Sequence, residues 1–152
     1  MAKSVCAALI LVSFFYCVVA ECPTYYTEFN SKCYRVFGAK KTWSDASSYC
    51  RLDGGGNLVS IHSSSENDFV FDFWRTSTGG NDGYYWIGMN DIDNEAWYKW
   101  SDGSSVVYQN FYMGEPNNNG NEDCVHVYPS VKQWNDWKCS QELSFVCKRD
   151  TI

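Results

Sequence analysis

The chain opens on one almost unbroken apolar run, residues 5–19, with a single lysine, Lys3, ahead of it. Beyond that run the hydrophobic positions recur at two distinct periods. Trp43, Ala46 and Cys50 fall three and four residues apart, which lines one face of a helix, and Thr42 before them is an N-cap residue. A second helix start reads at Ser65-Glu66-Asn67-Asp68, with Asp68 in the place of the capping-box acid; Phe69, Phe73 and Trp74 would then face the core. Short runs rich in aromatic and β-branched residues predict strands at 57–61, 84–89, 96–100, 124–127, 133–137 and 145–148. Two helices and several short strands make the expected class α+β. Between Trp100 and Cys124 the pattern dissolves into Gly, Ser, Asn and Pro. Loops of that length are uncommon in a small domain and, when ordered, usually carry function.

The leading apolar run is short for a bilayer span. Its order of charge, apolar stretch and small residues (Val18-Val19-Ala20) is that of a secretory signal peptide. Residues 1–20 are therefore expected to be removed, leaving 21–152 as one secreted, extracellular domain. No repeat, heptad run or linker divides that stretch. Cys6 and Cys17 would leave with the signal, and an even set remains: Cys22, Cys33, Cys50, Cys124, Cys139 and Cys147. In a secreted chain that set reads as a disulfide framework, and the count alone leaves every pairing open. Zinc is disfavoured, because no cysteine pair has close ligand spacing and the chain holds only two histidines. Lys and Arg number 12 against 18 Asp and Glu, so no nucleic-acid partner is expected, while a cation suits the surplus.

That surplus is concentrated. Residues 115–123 pack the carboxylates Glu115, Glu122 and Asp123 among the amides Asn117, Asn118, Asn119 and Asn121. Asn135-Asp136 follows between two tryptophans, and Asp91-Ile92-Asp93-Asn94-Glu95 lies upstream. Hard oxygen ligands on loops, with no His or Cys among them, point to Ca2+. An EF-hand does not fit the upstream stretch, since Ala96 stands where the turn glycine is needed and Asp102 replaces the bidentate Glu. Nor is an enzyme expected. Carboxylates committed to a cation stay ionised and cannot act as a general acid, and neither His62 nor His126 has a visible nucleophile partner.

Five short motifs occur in a telling order: Trp86-Ile87-Gly88-Met89, Glu115-Pro116-Asn117, Glu122-Asp123-Cys124, Trp134-Asn135-Asp136 and Phe145-Val146-Cys147. Together they make residues 22–148 resemble a C-type lectin-like domain of the long form. The resemblance implies two helices, small antiparallel sheets, a long calcium-binding loop and three disulfides: Cys22–Cys33 closing an N-terminal hairpin, Cys50–Cys147 and Cys124–Cys139. Loop closures of this kind are worth on the order of 3–5 kcal/mol each in the chain-entropy model. It also implies a principal Ca2+ held by Glu115, Asn117, Glu122, Asn135 and Asp136, and a cis bond before Pro116. An auxiliary Ca2+ would use Asp91, Glu95, Asn118 and Asp123, with Glu122 between the two ions. The same five principal residues would meet two vicinal sugar hydroxyls. The Glu-Pro-Asn order is similar to the mannose-type motif, implying mannose, fucose, glucose or N-acetylglucosamine. Trp137 would either stack on the sugar or pack beneath the loop, whereas Asn119 and Lys138 are secondary sugar-contact candidates that read better as solvated bystanders. The implied partners are glycans, membranes being met only through surface glycans. A homo-oligomer would add the avidity that weak sugar sites need. A protein or ice partner on the same fold is the alternative.

Overall fold

A computed structural model describes residues 4–7, 16–80 and 83–152. Two short strands, β1 (Ser4–Ala7) and β2 (Tyr16–Val19), pair antiparallel and stand apart from the main sheet. The remainder of the expected signal segment, residues 1–3 and 8–15, lies outside the described residues. Among the described residues no helix is long and apolar enough to cross a membrane.

The rest is built on one eight-stranded, mostly antiparallel sheet. Its strands are β3 (Thr27–Phe29), β4 (Lys32–Lys41), β5 (Asn57–Leu58), β6 (Tyr85–Asn90), β7 (Lys99–Trp100), β8 (Cys124–Val127), β9 (Trp134–Trp137) and β10 (Leu143–Asp150). The main path runs β3-β4-β10-β6-β8-β9, with β5 on β10 and β7 on β6. Of the pairings between these strands only β10–β6 is parallel, and an isolated parallel bridge joins Phe111 to Trp134.

Helix α1 (Trp43–Leu52) begins where its cap residue lies, with the Asp45 N–H donating to Thr42 Oγ1 at 3.3 Å. Helix α2 (Ser64–Thr78) starts earlier than the sequence suggests. Ser63 is its N-cap, receiving the Glu66 N–H at 3.2 Å, so Glu66 and not Asp68 takes the acidic position of the first turn. The shift has a physical cause. Glu66 is the residue that can be buried with partners: its carboxylate accepts from Tyr34 Oη, Lys148 Nζ and the His62 N–H. The core face turns accordingly to Val70, Phe71 and Trp74, while Phe69 and Phe73 are only partly buried and stack beside Phe29.

The expected strand at 96–100 survives only as β7, because Ala96 takes φ 64° and breaks the extended run. The strand expected at 57–61 likewise pairs only as β5, although Val59, Ser60 and Ile61 are buried beyond it.

β6 is buried along its whole length and separates two apolar clusters. Tyr85, Ile87 and Met89 face α2 with Trp74, Trp100 and Trp134; Trp86 faces α1 with Trp43, Phe145 and the Cys50–Cys147 pair. Gly88 sits where β6 crosses the 58–59 segment: a Cβ there would meet Leu58 O and Ser101 Oγ, both at 2.7 Å. The three disulfides pair as the family resemblance implies, Cys22–Cys33, Cys50–Cys147 and Cys124–Cys139. The second ties α1 to the last strand across 97 residues. The third closes the end of the β8–β9 hairpin.

Candidate metal centre

The site is half sheet and half loop. On the sheet side the β8–β9 register sets Asp136 opposite Val125 and Asn135 opposite His126. On the loop side the Tyr112 N–H donates to Trp134 O at 2.8 Å and the Glu115 N–H to Tyr112 O at 2.9 Å, so the turn that carries Glu115 hangs directly from β9. The Glu115–Pro116 bond is cis. Asn118 and Asn121 take left-handed φ values of 47° and 68°, conformations that Asn tolerates better than most residues, and they fold the loop back on itself.

Asp136 is the hub. Its side chain is fully buried and accepts the Asn117 N–H at 3.2 Å and the Asn118 N–H at 2.8 Å. Asn118 Oδ1 in turn accepts the Glu122 N–H at 2.7 Å, and Glu122 Oε2 accepts the Asn119 N–H at 3.1 Å. Asn117, Asn118, Asn119, Glu122 and Asp136 thus share one network. Asn135 joins from the sheet, its Nδ2 donating to Asp136 O at 2.7 Å and reaching His126 Nε2 at 3.2 Å.

Two oxygens are left over. Glu115 Oε2 and Asn135 Oδ1 are both buried with no hydrogen-bond partner among the described residues. A buried acceptor without a donor costs about 1–3 kcal/mol. The carboxylates are also crowded. Desolvation, then the charge and shared hydrogen bond of Asp136, then Glu122, push the Glu115 carboxyl above its ordinary range. Glu122 is raised as well, by desolvation and by Asp136, against the opposing effects of the Asn119 N–H and the Lys138 charge. An all-oxygen set with orphaned acceptors and mutually repelling carboxylates fits a hard divalent cation such as Ca2+. It is not a closed cage, however: among the described residues no three His, Cys, Asp or Glu side chains already form a metal-holding group.

The upstream set shows the same signs. Asp91 is buried; its Oδ2 accepts the Ala96 N–H at 2.8 Å while Oδ1 has no partner. The Asp91 N–H donates to Asp123 O at 3.1 Å, which places the two acids side by side in the chain's hydrogen bonding. The exposed Glu95 carboxyl is raised by desolvation, then by the charge and hydrogen bond of Asp91, then by Asp123. Asn118 and Asp123 already have intramolecular partners, Asn118 Oδ1 through Glu122 N–H and Asp123 Oδ2 through Asn121 Nδ2 at 2.7 Å.

Trp137 lies half-buried, edge-on to Tyr84 with centroids 5.5 Å apart and tilted against His126 at 5.1 Å. Asn119 is exposed. Lys138 is exposed too, and its charge opposes the upward shift of the Glu122 carboxyl. Two residues escaped the sequence reading. Tyr98 has its phenol pKa raised by burial and then by Asp136, Asp91 and Glu95, which places its hydroxyl in the field of both acidic sets. His126 is buried and lowered to about 4 by desolvation, so it is neutral at pH 7 and accepts the Asn135 amide. Neither left a periodic signal; only the β8–β9 register reveals His126 opposite Asn135.

A family model described as the lectin C-type domain matches residues 39–149. The chain is 37% identical over 132 residues to the α-N-acetylgalactosamine-specific lectin of Patiria pectinifera, covering 83% of this chain and 79% of that protein. It is 37% identical over 135 residues to a C-type lectin mannose-binding isoform of Oxyuranus scutellatus, covering 84% and 82% of the two chains. The crystal structure of human lithostathine superposes with a TM-score of 0.81 at 33% identity, covering 86% of this chain and 92% of that one.

Proposed function

The chain belongs to the C-type lectin family, and from that premise we propose that it is a secreted, calcium-dependent carbohydrate-binding protein of the mannose class. The observation that carries the reading is the pair of donorless buried oxygens, Glu115 Oε2 and Asn135 Oδ1, beside Asp136, whose carboxylate is buried. Glu115, Asn117, Glu122, Asn135 and Asp136 would hold the ion, and Asp91, Glu95, Asn118 and Asp123 a second one. Bound calcium supplies open coordination positions for two vicinal hydroxyls of a sugar. The chain's own residues read those hydroxyls. Glu115 and Glu122 accept hydrogen bonds from them, while the Asn117 amide donates to their remaining lone pairs; the Asn135 amide joins it on exchanging one of its present acceptors, Asp136 O or His126 Nε2. The acid-then-amide order of Glu115 and Asn117 sets which side of the site accepts and which donates; that order supports the mannose class. His126 and the Tyr112–Glu115 turn keep the two ligand strands in place. Trp137 serves as packing beneath them.

Binding without turnover is the proposed activity. The apolar leader at residues 1–20 supports export.

The test is a competition panel of monosaccharides on an immobilised mannan, with Ca2+ and with a chelator. Displacement by mannose and fucose but not galactose, abolished by the chelator, supports the proposal. Sugar binding indifferent to the chelator would overturn the metal role. Absence of any competing sugar would overturn the lectin reading and leave a protein or ice partner for the fold.

A further inference from the structure

His126 and Asn135 face each other across the β8–β9 hairpin, and their side chains meet through a single contact. Asn135 Nδ2 lies 2.7 Å from the Asp136 carbonyl oxygen and 3.2 Å from His126 Nε2, while Asn135 Oδ1 is buried without a donor. We infer that His126 is a positioning residue of the metal site: its Nε2 lone pair holds the Asn135 amide turned so that Oδ1 stays free as a ligand. The inference rests on the calcium reading above and adds to that same site a residue that acts through Asn135 rather than on the ion.

An amide can occupy its place in two orientations, and here the neighbours allow one. The Asp136 carbonyl oxygen only accepts, so the amide group 2.7 Å from it must be the NH2. Turned over, the amide would set oxygen against oxygen at that distance and leave its NH2 on the side meant for a cation. His126 Nε2 faces the same NH2, which only donates, so Nε2 presents its lone pair and the ring proton is on Nδ1. Nδ1 has no hydrogen-bond partner in either tautomer and so does not choose between them. One amide hydrogen thus goes to a main-chain oxygen of β9 and the other to a side chain of β8.

The imidazole is itself held. His126 is 2% exposed and its ring lies among Tyr84 at 4.7 Å, Tyr128 and Trp137 at 5.1 Å and Trp86 at 6.3 Å, centroid to centroid. These rings fix the plane of the imidazole and, with it, the direction of the lone pair. Desolvation keeps the ring neutral at pH 7, the form in which one of its nitrogens can accept. A neutral amide oxygen is a weak ligand, and it serves best when its direction is set before the ion arrives. Hydrogen-bond partners that orient metal ligands typically contribute about 10–100-fold in affinity. Asp136 O still holds the amide when His126 is replaced, which sets the expectation at the low end of that range.

The experiment compares wild type with His126→Phe, which keeps an aromatic ring and removes the acceptor, and His126→Gln, which removes the ring and keeps an acceptor. Ca2+ titrations followed by the backbone amide signals of residues 115–123 in proton–nitrogen NMR spectra give the affinities. His126→Phe should bind Ca2+ about tenfold more weakly than wild type, and His126→Gln within about threefold of it. A role in packing alone predicts the reverse order, with phenylalanine the better substitute. His126→Phe binding as tightly as His126→Gln, or as wild type, overturns the inference. The metal-free wild type supplies a second readout. The chain has only two histidines, and ring proton–nitrogen correlations should show His126 protonated at Nδ1 and bare at Nε2. Protonation at Nε2 overturns the inference whether or not the variants fold, and leaves the calcium reading standing. Wild type taking up no Ca2+ overturns that reading, and the positioning role with it.

Discussion

Glu66 is the most consequential polar residue in the scaffold that supports the site, and replacing it gives a quantitative test of how that scaffold is held. Its carboxylate accepts Tyr34 Oη at 2.7 Å from β4, the His62 N–H at 2.8 Å from the segment before α2, and Lys148 Nζ at 2.6 Å from β10. The Lys148 and Glu66 side chains are only 10% and 9% exposed. In Glu66→Ala the ammonium of Lys148 would keep only Ser60 O at 2.9 Å and Ser60 Oγ at 3.4 Å, while Tyr34 Oη and His62 N lose their acceptor. Removing one partner of a buried pair typically costs about 3–5 kcal/mol, since the charge left behind is uncompensated. Urea unfolding of the oxidised protein, followed by tryptophan fluorescence, measures the loss directly. Lys148→Met in the Glu66→Gln background should cost much less than the two single penalties combined, because the charges then disappear together. Desolvation alone would raise the Glu66 carboxyl, but hydrogen bonds from Lys148, Tyr34 and the His62 N–H outweigh it and hold the group below its ordinary 4.5. A carboxyl depressed in the folded state stabilises the protein above the unfolded value and ceases to do so as pH falls through the folded one. Wild type should therefore lose stability relative to Glu66→Gln only below about pH 4.5. A Glu66→Ala penalty under about 1 kcal/mol, or strictly additive single mutants, would refute the reasoning.

Three further outcomes are expected. Adding 5 mM Ca2+ should stabilise the wild-type fold by about 1–2 kcal/mol if affinity lies in the 0.1–1 mM range of extracellular modules, which is about 2–8 °C by calorimetry; no shift would argue against metal uptake. Glu115→Gln combined with Asn117→Asp should move the preference in the monosaccharide panel from mannose toward galactose by about tenfold or more, a change read as the ratio of inhibitory concentrations. Gly88→Ala should cost about 2–4 kcal/mol in urea unfolding, because its Cβ would lie 2.7 Å from the Leu58 carbonyl oxygen, a backbone atom that cannot rotate away.

The sequence was most legible where one physical requirement dominated. Thr42 before Trp43, Ala46 and Cys50 located α1 because cap and apolar stripe agree there. The α2 start was misplaced by two residues because its first turn holds serines at 63, 64 and 65, and local capping chemistry cannot choose among them. The choice is made by Lys148 and Tyr34, which are remote in sequence and bury Glu66. β4 escaped notice for a related reason. Its ten residues include Arg35, Gly38, Lys40 and Lys41, a poor strand on propensity, and it is extended by its long register with β10. At the candidate site, the types and order of the oxygen-bearing residues stand in the sequence, and the structure joins Asn117, Asn118, Glu122 and Asp136 in one network. What could not be read was which oxygens are already used. Asn117 Oδ1 accepts the Asn119 N–H at 2.9 Å and Asn118 Oδ1 accepts the Glu122 N–H, whereas Glu115 Oε2 and Asn135 Oδ1 are free. That distinction belongs to the loop's backbone path.

The division of the site between sheet and loop bears on how tightly it can hold anything. Asn135 and Asp136 are fixed by four register pairs of the β8–β9 hairpin and by the Cys124–Cys139 bridge just beyond it. Glu115, Asn117 and Glu122 are fixed only by the loop, whose few bonds to the hairpin run through the Asp136 carboxylate and the Tyr112–Trp134 contact. Without a cation, the carboxylates repel one another and two buried oxygens lack donors, so the loop sits at a free-energy cost that the core must offset. A bound ion removes that cost, and part of its binding energy therefore appears as ordering of residues 115–123. Yet the Asp136 oxygens that already receive the Asn117 and Asn118 N–H groups would have to share them with the ion. Lys138 beside Glu122 trims the local negative charge further. If the proposed calcium role holds, both effects would weaken metal affinity toward the millimolar end of the range for extracellular sites, where the ion can leave as loop carboxylates protonate. A site so tuned would release its ligand in acid, and the retention or release of a mannose-bearing surface on lowering the pH at fixed Ca2+ reads that coupling directly.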